Sequence, residues 1–190
     1  MSAVKFTTGV PQQSESLDLE WTINPMCEPG FLYARKRRSA EDFRANGGIR
    51  VRQGASYTTK LPILLEPGVS IIFELIPHVD DALALNIKKT GDDVVMHFVC
   101  RGQLDTLFIT SKVNGDFIRT DSMDWCIFVN DVSQTLMFEI QTDMDIMLSL
   151  DGRVLTTYDS AIDPRVARSL NVYVSGPEDF TLNRIEFIKM

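Results

Sequence analysis

Apolar and polar residues alternate in short runs over most of this chain. From about Tyr57 the alternation predicts strands at 58–65, 69–76, 82–88, 93–101, 106–112, 116–120, 125–129, 135–141, 145–150, 154–158, 170–174 and 180–188. Their separators are Pro67-Gly68, Gly91-Asp92, Asn114-Gly115, Asp151-Gly152 and Gly176-Pro177. These residue types supply the fixed or positive φ that a chain reversal needs. Asp151-Gly152, between IMLSL and VLTTY, is the clearest hairpin. The runs VSIIFELI and DWCIFV are apolar on both phases, which predicts strands covered on both faces. The last run changes phase between Phe180/Leu182 and Ile185/Phe187, which predicts a bulge. Residues 164–168 supply one turn of helix; there is no longer helical period, no internal repeat and no low-complexity tract. Short strands at regular spacing predict an all-β fold, a sandwich or a barrel.

Residues 1–54 read differently, as an N-terminal extension to a β domain over 55–190. The opening MSAVKFTTGVPQQSES is polar and mixed, which predicts a loose terminus. Leu17, Leu19 and Trp21 then alternate with Asp18 and Glu20, giving a strand at 17–23. Pro25, Pro29 and Gly30 break the chain, and residues 31–33 offer a further short pairing segment. Arg35-Lys36-Arg37-Arg38 leads into Ser39, an N-cap for a short helix at 39–45 that Asn46-Gly47-Gly48 ends. Three readings of the tetrad stay open: a nuclear import signal, a recognition element presenting Ser39 to a basophilic kinase, and a solvated linker. Phosphate on Ser39 would sit at a helix start, where negative charge is stabilised.

Charge narrows the partners. The chain of 190 residues carries a net −7, with eight Lys/Arg against six Asp/Glu in residues 1–53 and eleven against twenty in the remainder. An acidic body lacks the clustered cations that phosphate contacts require, so neither nucleic acid nor an anionic membrane surface is expected as partner. Cys27, Cys100 and Cys126 are odd in number, widely spaced and without a CxxC, and two His do not complete a zinc pattern with them. They are expected to be buried or idle thiols in a reducing compartment. There is no N-terminal apolar h-region and no apolar run near the length of a membrane span. The expected location is the cytoplasm, or the nucleus if the basic tetrad is an import signal. The acid pairs Asp80-Asp81, Asp92-Asp93, Asp143-x-Asp145 and Glu178-Asp179 lie next to turns, where Asp is a turn-former. No catalytic triad pattern, metal signature or phosphate loop accompanies them, so no enzyme activity, metal or cofactor is expected.

The segment VVMHFVCR, residues 94–101, concentrates the candidate chemistry. On a strand, His97, Val99 and Arg101 share one face, and Met96, Phe98 and Cys100 share the other. An apolar inner face with His and Arg outside suits binding of a sugar or an anion.

From about residue 57 to the C-terminus the chain resembles a galectin carbohydrate-recognition domain. LLEPGVSIIFELIP is similar to the opening strands, and ALALNIK followed by VVMHFVCR to the pair that carries the His-x-Asn-x-Arg motif. LDTLFITSKVNGDF resembles the next two strands, DIMLSLDGRVLTTY the late hairpin, and RVARSLNVYVSGPEDFTLNRIEF the closing strands. The resemblance implies a jelly-roll sandwich of two antiparallel sheets, with a sugar groove on one concave sheet. His97 and Arg101 match the motif's His and Arg, but Val99 stands where the motif has Asn. Thr110 replaces a sugar-contacting Asn, Phe117 replaces the Trp that stacks on galactose, and Thr120 and Ser122 replace the Glu and Arg that complete the polar clamp.

Those replacements bear on function. A sugar hydroxyl placed against Val99 loses its water and gains no partner, at about 1–3 kcal/mol. Losing the Glu also removes the acid that would hold Arg101. The expected function is therefore a non-catalytic protein-interaction or assembly module without β-galactoside binding. The alternative is a lectin for a β-galactoside or a sulfated or sialylated glycan, with Phe117 stacking and Arg101 meeting the anion. Protein partners are expected, with a homodimer through sheet edges or the N-terminal extension as one form; the extension can add its strand in cis, or in trans to make that dimer. Export without a signal peptide, which galectin-like proteins can undergo, is implied by the resemblance alone.

Overall fold

The structure is a computed structural model, and it describes residues 2–8, 16–23, 32–36, 49–51, 55–78, 82–101, 105–174 and 180–189. In chain order the strands are β1 (Ser2–Thr8), β2 (Ser16–Ile23), β3 (Leu32–Lys36), β4 (Ile49–Val51), β5 (Ala55–Lys60), β6 (Val69–Pro77), β7 (Ala82–Lys88) and β8 (Val94–Arg101). They continue as β9 (Thr106–Val113), β10 (Asp116–Met123), β11 (Gln134–Ile140), β12 (Asp145–Leu150), β13 (Arg153–Asp159), β14 (Ser169–Val174) and β15 (Phe180–Lys189). One sheet has the order β10-β9-β8-β7-β14-β5, and the second β15-β6-β11-β12-β13. The strand pairs are antiparallel. β1, β2 and β3 continue from β5 across to β15, and β4 pairs with β15 as well.

Alternation drives the assembly of the sandwich. Ile71, Phe73 and Leu75 of β6 and Leu136, Phe138 and Ile140 of β11 are buried every second residue, and Leu83, Leu85 and Ile87 of β7 join the same core. Phe138 packs edge-on to Phe73, with ring centroids 5.3 Å apart, and tilted against Phe98 of the facing sheet at 5.6 Å. Each such fully buried side chain contributes about 1.5–3 kcal/mol.

Turns and bulges set the register. Asp151 and Gly152 take φ of +50° and +77° between the paired residues Leu150 and Arg153. That is the double positive φ of a two-residue hairpin loop. Asp151 also accepts from the Thr135 amide at 2.8 Å, which ties the hairpin to β11. In β15 the register shifts between Leu182 and Arg184, so Phe180 and Leu182 before the bulge and Ile185 and Phe187 after it all reach the core.

Several expectations need correction. Residues 125–129 form no strand; Ile127 is buried and Phe128 sits edge-on to Phe98 at 6.2 Å. Two core-directed side chains on one irregular segment produce the double-phase pattern that reads as a covered strand. Ser2–Thr8, read as a loose terminus, is strand β1, held by backbone pairing to β2 and β5. The cysteines are not all thiols: Cys100 and Cys126 form a disulfide, their Cα atoms 5.5 Å apart. The fold brings two residues 26 apart in sequence into bonding range, which spacing alone does not reveal. Arg37, Arg38, Ser39, the helix at 39–45, Cys27, Asp80-Asp81 and Glu178-Asp179 lie outside the described residues; Arg35 and Lys36 fall at the end of β3.

Candidate ligand face on the six-stranded sheet

A second bulge positions this face. The register of β8 on β9 skips between Val94 and His97. Val95 and Met96 therefore both enter the core, and His97 emerges on the outer face. The Val95 carbonyl is held by two buried hydroxyls, Ser111 at 2.7 Å and Ser160 at 2.8 Å, and Ser111 meets the Tyr158 hydroxyl at 2.8 Å. A carbonyl displaced from a ladder needs such partners when buried. Beyond the bulge, His97, Val99 and Arg101 alternate outward.

Register then assembles two rows across the sheet. The first runs Thr58, Asn171, Asn86, His97 and Thr110 on five successive strands. The second runs Ser56, Tyr173, Ala84, Val99, Phe108 and Ser122 on six.

The first row is a chain of hydrogen bonds. Asn171 Nδ2 donates to Ser56 Oγ at 2.7 Å and to Thr58 Oγ1 at 2.9 Å. Asn86 Nδ2 donates to Asn171 Oδ1 at 2.9 Å. That orientation turns Asn86 Oδ1 toward His97, which donates from Nδ1. Both Asn are buried. Burial pushes the His97 pKa below its ordinary value, and the nearby Arg101 and Lys112 charges push it the same way. The ring is thus a neutral donor, stacked on Tyr173 at 6.5 Å and tilted against Phe117 at 5.5 Å.

Apolar contacts dominate the second row. Val99 and Ala84 are buried beneath Tyr173. Burial raises the Tyr173 pKa, and Arg101 opposes that. Arg101 itself is exposed and lies over the Phe108 ring at 5.3 Å; Lys112 lies over the Phe117 ring at 5.8 Å. Phe117 is 58% exposed.

The remaining residues of interest are placed plainly. The Thr110 hydroxyl donates to the Ile118 carbonyl at 3.0 Å and accepts from Thr120 at 3.0 Å. Ser122 is exposed on β10 opposite Phe108. His97, Arg101, Phe117, Val99, Thr110 and Ser122 share this face with Thr120 at its rim. Asp143 pairs with Arg165 at 3.2 Å, and Asp145 accepts from Thr142 at 2.8 Å. Sequence reasoning missed Asn86, Asn171, Tyr173 and Lys112. The signal was there for the two Asn, each a polar residue flanked by apolar neighbours inside ALALNIK and SLNVYV.

No family model matches the sequence, and no curated protein matches it. Solved structures do. A galectin of Caenorhabditis elegans, LEC-6, superposes with a TM-score of 0.58 at 16% identity, over 80% of this chain and 99% of that one. The fold is that of the galectins. Sheep galectin-11, solved with glycerol, gives 0.57 at 10% identity over 70% of this chain and 96% of its own. A doubly substituted human galectin-16 gives 0.59 at 14% identity, over 69% and 94%. The chain thus has the fold of a galectin-like jelly-roll sandwich of two antiparallel sheets.

Proposed function

We propose that this chain is a non-catalytic interaction module that binds a protein partner and has lost β-galactoside recognition. One observation carries the reading: the uncharged polar side chains at the middle of this face are spent on one another. His97 Nδ1, Asn86 and Asn171 form a hydrogen-bonded row, Thr110 and Thr120 bond each other and the backbone, and Val99 lies under Tyr173. A neutral sugar gains affinity by exchanging water for fixed donors and acceptors, and few remain here to exchange. What the face presents instead is Phe117, Tyr173, Arg101 and Lys112, and aromatic and Arg side chains are the residues that anchor protein interfaces. The strands that end the sheet order, β10 and β13, add edges for a partner strand or a second copy.

A second reading, a lectin for a sulfated or sialylated glycan, is favoured by one feature. Arg101 and Lys112 flank His97 in a chain whose net charge is −7. Affinity purification from native extract with and without lactose separates the readings. A partner retained in lactose supports a protein ligand. Elution by lactose overturns it, and a sulfated or sialylated hit on a glycan array, lost in Arg101→Ala, replaces it with the second.

A further inference from the structure

The disulfide sits where neither reading uses it. Cys100 lies in β8 between Val99 and Arg101, points into the core and is fully buried. It pairs in register with Leu107 of β9, which pairs with Met123 at the end of β10. Cys126 follows three residues later and is only partly buried. The bond thus reaches from the segment after β10 back to β8, on the core side of the row Cys100, Leu107, Met123.

The segment it holds has little else at its start. Residues 124–129 have no ladder pairing. The Cys126 amide donates to Asp105 Oδ1 at 2.8 Å in an exposed bond, and Trp125 is 47% exposed. The later half is anchored independently. Ile127 is buried in the core, Phe128 packs on Phe98, and the Val129 amide donates to Gln134 Oε1 at 2.8 Å. Opening the bond therefore frees 124–126 and leaves the sandwich in place.

We propose that Cys100–Cys126 is a thiol–disulfide exchange site that controls the presentation of Trp125 at the rim of the six-stranded sheet. The substrate class is a dithiol reductant. Its thiolate attacks the sulfur of Cys126, the residue of the pair that is only partly buried, in line with the S–S bond. The S–S bond breaks, and Cys100 leaves as a thiolate and takes up a proton. The second thiol of the reductant then attacks the mixed disulfide, releasing Cys126 as a thiol. The protein gains two electrons and two protons, and the dithiol becomes a disulfide. Attack at Cys100 is blocked because that sulfur is enclosed by the core. The assignment of the two sulfurs to attacked and leaving roles follows from burial alone and holds whichever ligand the concave face takes.

The test uses the full chain. In a Cys27→Ser background, Cys100→Ser leaves the Cys126 thiol and Cys126→Ser leaves the Cys100 thiol. With an aromatic disulfide reagent, Cys126 is expected to react at least about tenfold faster than Cys100, because access limits exchange. In a Trp21→Phe background, dithiothreitol is expected to shift Trp125 emission and to open 124–126 to protease while the far-ultraviolet circular dichroism is retained. Equal thiol rates, or reduction that leaves Trp125 emission and cleavage unchanged, overturn the proposal. Should a serine variant fail to fold, glutathione treatment of the unsubstituted protein, acid quench and peptide mapping give the same answer. A mixed disulfide at Cys126 supports the assignment; one at Cys100, or no Cys100–Cys126 peptide in the unreduced protein, refutes it.

Discussion

Placing the galectin motif's Asn at position 99 should harm the protein without conferring lactose binding. In Val99→Asn an amide replaces two methyl groups that are 6% exposed and packed with Ala84 beneath Tyr173. Losing the buried Val side chain costs about 1.5 kcal/mol. The amide, desolvated and facing an aromatic ring and a methyl group, adds about 1–3 kcal/mol. The total of about 2.5–4.5 kcal/mol corresponds to a fall in Tm of about 5–18 °C for a chain of this size. Val99→Ala isolates the first part, since it loses the methyl groups and introduces no polar atom. Thermal melts of the three proteins, followed by lactose titration in a calorimeter, check both halves. The expected order of Tm is wild type, then Val99→Ala, then Val99→Asn, with no lactose heat from any of them, because Thr110, Phe117, Thr120 and Ser122 are unchanged. A Val99→Asn protein that melts with the wild type, or that binds lactose, refutes the claim that an apolar row holds this face together.

Three further outcomes follow from the same structure. The depressed His97 pKa means that folding favours the neutral ring, so its contribution is complete above about pH 6.5 and declines as the pH falls toward the lowered folded value. The drop in Tm between pH 7.5 and pH 5.5 should shrink in His97→Gln, and an unchanged drop places the titration elsewhere. Reducing the Cys100–Cys126 bond, which closes a loop 26 residues long, should cost about 3–4 kcal/mol by chain entropy, seen as a lower urea midpoint with the slope slightly raised. Gly152→Ala should cost about 1–2 kcal/mol: nothing lies within 4 Å of the added Cβ, so strain at a φ of +77° is the whole effect, and a neutral result shows that the turn has changed type.

Much of the sandwich was legible because its information is local. The run ALALNIK predicted strand 82–88 to the residue, and the phase change after Leu182 gave the bulge in β15. The same local logic placed His97, Val99 and Arg101 on one face. It failed where pattern and partner come apart. The segment around Ile127 has the composition of a covered strand, yet its apolar residues serve a core-capping loop held by a disulfide. Tyr173 lies over Val99 only because β14 is inserted next to β7, and nothing within YVSG announces that neighbour. Thr110 and Thr120 stand at sugar-contact positions only by resemblance; nothing in the sequence around either shows that they hydrogen-bond each other.

The position of β14 between β5 and β7 also shapes how the chain is made. Asn171 bonds Ser56 across 115 residues and Asn86 across 85. At about 5–20 residues per second, a ribosome needs roughly 5–20 s to pass from β5 to β14. For that interval β5 and β7 each carry an unfilled edge with a row of amides and carbonyls pointing at the gap. The sheet closes only when β14 emerges, so a nascent chain stalled before residue 171 is a half-zipped sheet, and its exposed edges make it a natural client for chaperones.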